Sequence, residues 1–157
     1  MAAGGALVAA GAGARVLMAD GAADVLLLSC MDYRLVDETE RYMASRGLRD
    51  KFDYVILAGA SIGVVTDKYP AWKQTFWEHV DVAVQLHGIH KIIILDHRDC
   101  GAYKVITGED LGKTPAKETT VHAAQLRALR RQIKAKHPKL DVELLLMSLD
   151  GKVETVT

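Results

Sequence analysis

Four short apolar runs punctuate the chain: "VLLLSC" from Val25 to Cys30, "DYVILAGA" from Asp53 to Ala60, "KIIILDH" from Lys91 to His97, and "DVELLLM" near the end. Each is four to eight residues long, apolar throughout rather than alternating, and bounded by polar or glycine-containing stretches, which is the pattern of strands buried on both faces. Between them the apolar period lengthens to three and four. "VDETERYMASRG" carries acids in its first turn and stops at Gly47. Pro70 opens "PAWKQTFWEHVDVAVQLHG", where Trp72, Phe76, Val80, Ala83, Val84 and His87 share one face and Gly88 sits at the C-cap position. A helical start follows at Cys100, and a long amphipathic helix is predicted from about Lys117 to His137, halted by Pro138. An Asp150-Gly151 turn then sends a short return strand back along the last run.

Strand and helix in alternation predict an α/β fold: a parallel central sheet with helices on both faces and a C-terminal antiparallel hairpin strand. In such sheets ligands bind in the crevice beyond the carboxyl ends of the strands. Those ends are therefore the places to look for chemistry.

Composition narrows the field. A chain of 157 residues suits one domain with a core of its own. Twenty basic and twenty acidic residues cancel, so no global field points to nucleic acid or an anionic membrane. Arg127, Arg130, Arg131, Lys134 and Lys136 crowd the end of the last predicted helix, where cations suit the dipole and read as a solvated face. No stretch reaches the ~20 apolar residues of a membrane helix. Residues 1–23 are almost entirely Ala, Gly and small apolar residues. They read as an arm or a degraded signal, with "ADGAA" resembling a cleavage site, and residues 24–157 read as a single α/β domain. The expected location is the cytoplasm; periplasmic export is the alternative if the arm is a remnant signal.

The strand ends carry the candidate chemistry. The first run finishes in "SCMDYR", with Cys30, Asp32 and Arg34 at alternate positions, and the third finishes in "DHRDC", with His97 and Cys100 three apart. If the two strands are neighbours, two thiols and an imidazole face one another across roughly 4.8 Å of sheet. Positions three apart on a helical turn share a face, so His97 and Cys100 can aim at one object. Two thiolates and an imidazole suit Zn²⁺ and leave a fourth tetrahedral position open. The two cysteines could instead be buried apolar residues or, in an exported protein, a disulfide.

"CMDYR" matches the C-x-D-x-R motif of the β-class carbonic anhydrases, and "HRDCGAY" matches their H-x-x-C-G-A motif. The chain resembles that family from about Val25 to the terminal hairpin. The resemblance implies that Cys30, His97 and Cys100 bind zinc and that Asp32 and Arg34 form the catalytic dyad. It also implies a homodimer or higher homo-oligomer with the site near its interface, and reversible hydration of CO₂ to bicarbonate by a zinc-bound hydroxide. Because two thiolates neutralise the metal, it is a weaker Lewis acid than a zinc held by histidines, and the dyad is expected to compensate. Asp32 released by Arg34 could itself reach the metal. The chain departs from the family at Asp96, where glycine usually precedes the zinc histidine, and at "LAGASIG", which replaces an Asn-containing loop; no glutamine occurs before Gln74.

Other readings follow from the same residues. Hydrolysis of CS₂ or COS, linear molecules like CO₂, would use the same parts, and a non-catalytic zinc site is the third class. "GASIG", Gly59 to Gly63, matches the G-x-S-x-G nucleophile elbow, with Asp110 and His122 as scattered partners for Ser61. His79, His87 and His90 read as core-edge residues, His122 and His137 as members of a polar helix face. Trp72, Phe76 and Trp77 read as packing.

Overall fold

The computed structural model describes residues 23–157. Of the arm assigned to residues 1–23, all but Ala23 lies outside the described residues, and so do the signal and cleavage-site readings. The elements run β1 (Val25–Ser29), α1 (Val36–Ser45), β2 (Phe52–Ile56), α2 (Ser61–Val65), α3 (Pro70–Leu86), β3 (Lys91–His97), α4 (Gly101–Thr107), α5 (Pro115–Lys136), β4 (Asp141–Met147) and β5 (Val153–Thr155). The short helix α2 was not expected from the sequence, where its five residues read as loop.

The five strands form one sheet in the order β2-β1-β3-β4-β5. β1 pairs in parallel with β2 on one side and β3 on the other, β3 pairs in parallel with β4, and β5 returns antiparallel to β4. This is the expected α/β architecture, terminal hairpin included.

Side chains alternate across each strand, so the even and odd positions build two separate cores. Leu26, Leu28, Ile92, Ile94 and Leu144 pack with Phe76 and Val80 of α3 and with Leu126, Leu129 and Ile133 of α5. Val25, Leu27, Ile93, Leu95, Leu145 and Met147 pack on the other face with Leu35 and with Met43 of α1. The central strands β1 and β3 are thus apolar over residues 25–28 and 92–95 because each has a helix layer on both sides, which is why those runs did not alternate.

β1 connects leftward to β2, while the chain later returns to β1's other flank as β3. The crevice between the carboxyl ends of β1 and β3 is therefore the topological switch point of the sheet, with Ser29 opposite Leu95 in register. The residues that follow those two positions are the ones that can meet there.

Candidate metal centre

Cys30 follows the last residue of β1, and His97 is the last residue of β3. Cys100 is the N-cap residue of α4. Their ligand atoms all lie within 4.8 Å of one another, and the two Sγ atoms are 3.8 Å apart as free thiols, not a disulfide. Convergence of His97 and Cys100 does not come from a shared helical face, as the spacing had suggested. Instead Asp99 takes a left-handed backbone, φ +54°, and turns the chain back on itself between them.

The histidine is set up as a ligand. Its Nδ1 is 2.8 Å from the Arg98 carbonyl oxygen, to which it donates, and this leaves the Nε2 lone pair free. Nε2 is buried and has no hydrogen-bond partner among the described residues. A buried acceptor without a partner is costly unless something else satisfies it, and two thiols at its side make a soft cation the fitting occupant.

The thiols are electrostatically unequal. Cys30 is pushed down to about 4, first by the hydrogen bond from Cys100, with His97 and the Gly59 N–H also favouring the thiolate against the opposing effect of burial. The same bond and burial push Cys100 up. Gly59 donates to Cys30 Sγ at 3.2 Å from a left-handed conformation, φ +79°, and a Cβ there would come within 2.7 Å of Ile62. For His97 burial acts downward but is outweighed by the Cys30 thiolate, the Arg98 carbonyl and Asp32, so its pKa is raised. Zinc uptake at pH 7 is therefore expected to release about one proton from the Cys30–Cys100 pair, plus any that His97 carries. Affinity falls as pH falls, because acid restores those protons. Calorimetric titration in buffers of differing protonation enthalpy measures the release; a value of zero would contradict the assignment.

Asp32 and Arg34 stand beside this cluster, though not on a continued strand. Asp32 caps a 3-10 turn, Tyr33–Leu35, accepting from the Arg34 backbone N–H at 3.0 Å. The Arg34 guanidinium grips the same carboxylate at both oxygens, Nε to Oδ1 at 3.0 Å and Nη2 to Oδ2 at 2.8 Å. That bidentate bond is the first cause of an Asp32 pKa lowered to about 2. Asp32 Oδ2 is 3.8 Å from His97 Nε2. All five residues singled out from the sequence thus stand in one place.

Cys30, Asp32, Arg34 and Cys100 line a cavity of about 560 Å³ whose remaining wall is largely apolar: Ala58, Tyr69, Trp72, Ala102, Val105 and Ile106. Trp72, read from its spacing as packing, stacks on Tyr69 at 4.1 Å to form part of that wall.

On the opposite face of β3, Asp96 is buried and collects a polar cluster. It accepts from Ser61 N–H at 3.0 Å, Ser61 Oγ at 2.6 Å, Tyr103 Oη at 2.6 Å and His122 Nδ1 at 2.8 Å. His122 is fully buried, which corrects its assignment to a polar helix face. The signal was available: His122 shares a stripe with Leu126, Leu129 and Ile133. Ser61 is also fully buried, its hydroxyl spent on Asp96 and Tyr103, so "GASIG" places no exposed nucleophile.

A protein-family model described as "Putative carbonic anhydrase" matches residues 21–157. The chain belongs to that carbonic anhydrase family. An uncharacterized protein of Rickettsia conorii is 47% identical over 134 residues, 85% of this chain and 72% of its own. Among solved structures, a β-carbonic anhydrase of Trichomonas vaginalis matches with TM-score 0.58 at 17% identity, covering 88% of this chain and 85% of that one. One of two tetrameric β-carbonic anhydrases of Sordaria macrospora matches with TM-score 0.53 at 13% identity, covering 87% and 81%. At those identities the structural matches establish that this carbonic anhydrase family member shares the β-class fold. Among its described residues no helix is long and apolar enough to cross a membrane.

Proposed function

We propose that the protein is a zinc-dependent carbonic anhydrase that interconverts CO₂ and bicarbonate. The observation that carries this reading is the Cys30, His97 and Cys100 cluster at the switch point with the Asp32–Arg34 pair alongside it. Family membership and the β-class fold support it.

Zinc held by the two thiolates and His97 Nε2 would supply the Lewis acidity that makes a water molecule nucleophilic near neutral pH. The remaining work falls to the chain. Asp32 Oδ2 accepts the hydrogen bond of the attacking water, fixing its proton on one side and turning a lone pair toward the cavity. Arg34 keeps that carboxylate ionised and stationary. Uncharged CO₂ is received by the apolar wall of Trp72, Ala102 and Val105.

The site stands on an open face of the single chain. Met31, Tyr33 and Val36 flank it with relative exposures of 66, 85 and 56%. So many large apolar groups at one rim support burial against a second copy, as does the tetrameric state of the Sordaria enzymes. We therefore infer a homodimer or higher homo-oligomer.

Stopped-flow CO₂ hydration, run with and without a chelator and paired with metal analysis, tests the reading. Expected are one zinc per chain, hydration well above the buffer rate, and loss of both on chelation. Metal-loaded protein that does not accelerate hydration would refute the reading, and turnover of COS in the same protein would replace it with the hydrolase alternative.

A further inference from the structure

Arg34 serves two carboxylates. Besides its grip on Asp32, its Nη1 donates to Asp99 Oδ2 at 2.9 Å and its Nη2 to the Asp99 carbonyl at 3.0 Å. Asp99 directly precedes Cys100 in the turn that joins it to His97, and it is held in place from three directions. Its backbone lies in the left-handed region, φ +54°. Its N–H donates at 2.6 Å to Oε1 of Glu118, a residue only 3% exposed whose other oxygen accepts from Arg98 Nη1 at 3.3 Å. Its carboxylate lies against Gly112, where a Cβ would come within 2.7 Å of Asp99 Oδ1.

This arrangement makes little sense as a device for stability. The Asp99 side chain is 53% exposed, and an ion pair so accessible to water returns little. Its left-handed backbone is uncommon for a residue other than glycine, although aspartate is one of the types that adopts it. A buried glutamate from α5 and a glycine from the preceding turn have nonetheless been committed to seating it. What the seat delivers is a carboxylate on the one guanidinium that positions Asp32.

We propose that Asp99 is a positioning residue for the Asp32–Arg34 dyad: by holding Arg34 from the side opposite Asp32, it keeps the Asp32 carboxylate turned to the attacking water instead of onto the metal. Arg34 held by Asp32 alone would follow that carboxylate wherever it went. With Asp99 as a fixed second anchor, it cannot. The proposal rests on the metal-centre reading, and its activity arm on the hydration reading.

Two variants separate positioning from turn geometry. Glycine and asparagine are both at home in the left-handed region, so neither strains the turn. Asp99→Gly removes the side-chain acceptor; Asp99→Asn keeps an oxygen for Arg34 Nη1 without the charge. Expected is unchanged zinc content in both. The hydration rate should fall roughly tenfold in Asp99→Gly and less in Asp99→Asn, the lower end of what groups supporting a metal site contribute. In an Arg34→Ala background Asp99→Gly should add nothing, since both act through one guanidinium. The cobalt-substituted proteins give a reading independent of turnover: the visible spectrum of Asp99→Gly should move toward that of Arg34→Ala. An unmoved spectrum, or losses that multiply in the double variant, would overturn the proposal. Should the parent protein bind metal and hydrate no CO₂, the hydration reading fails, and the cobalt spectra still decide the role of Asp99.

Discussion

Asp32→Asn is expected to bind zinc as the parent protein does and to hydrate CO₂ about a hundredfold more slowly, within the range for loss of a group that positions a proton in the transition state. The fold should survive the change. Asparagine caps a helical turn as well as aspartate does, so the bond to the Arg34 backbone N–H at the start of the 3-10 turn persists. What disappears is the charge and the second acceptor. The remaining oxygen still caps the turn, but an amide NH₂ cannot accept from the Arg34 Nη2 that now reaches Oδ2, so the two-point grip of the guanidinium is lost. Asp32 is not among the three clustered ligands, so metal content stays. In the parent protein the lowered pKa, about 2, keeps Asp32 ionised throughout any working range. Its carboxylate gains a proton only in strong acid, so activity lost on mild acidification arises from other groups. Rates within twofold of the parent at equal zinc content would remove Asp32 from the reaction.

Cys100→Ser is expected to lose both metal and activity while remaining folded. Tight zinc sites of this kind hold about 10–16 kcal/mol in total, so one ligand of three or four accounts for roughly 3–4 kcal/mol, or about 10²–10³ in affinity. Cys100 is the N-cap of α4, and serine is a favoured residue there, so the helix should not suffer and metal loss can be read apart from unfolding. Competition with a chromophoric chelator measures the affinity, and circular dichroism checks the fold. Parent-like zinc affinity in this variant would exclude Cys100 from the site.

The sequence made the strand ends visible because buried parallel strands have no reason to finish in polar residues. Cys30 and His97 were legible for that reason, and so was the sheet, whose central runs were apolar without alternation. What joined the ligands was not legible. Nothing local in "HRDC" announces that Asp99 adopts a left-handed turn, because aspartate is tolerated in that conformation without demanding it. Partners distant in the chain were equally hidden: Glu118 reaches Asp99 across 19 positions. His122 was misread by type rather than by position. It lies on the apolar stripe of α5, and a histidine there is buried only because Asp96, 26 positions earlier, supplies a carboxylate.

The carboxylate of Asp96 has a consequence for how the protein handles its metal. Donors from α2, α4 and α5 converge on it from one side of β3, and the next residue, His97, faces the other way. The loop whose glycine donates to Cys30 and the helix that Cys100 begins are therefore fastened to the strand by protein groups alone. Small zinc domains that lack such fastening fold only when the ion arrives. Here the core and these polar contacts hold the cluster in place, so the fold of this chain is expected not to depend on the proposed ion. An ion seated there should be able to leave and return while the chain stays folded.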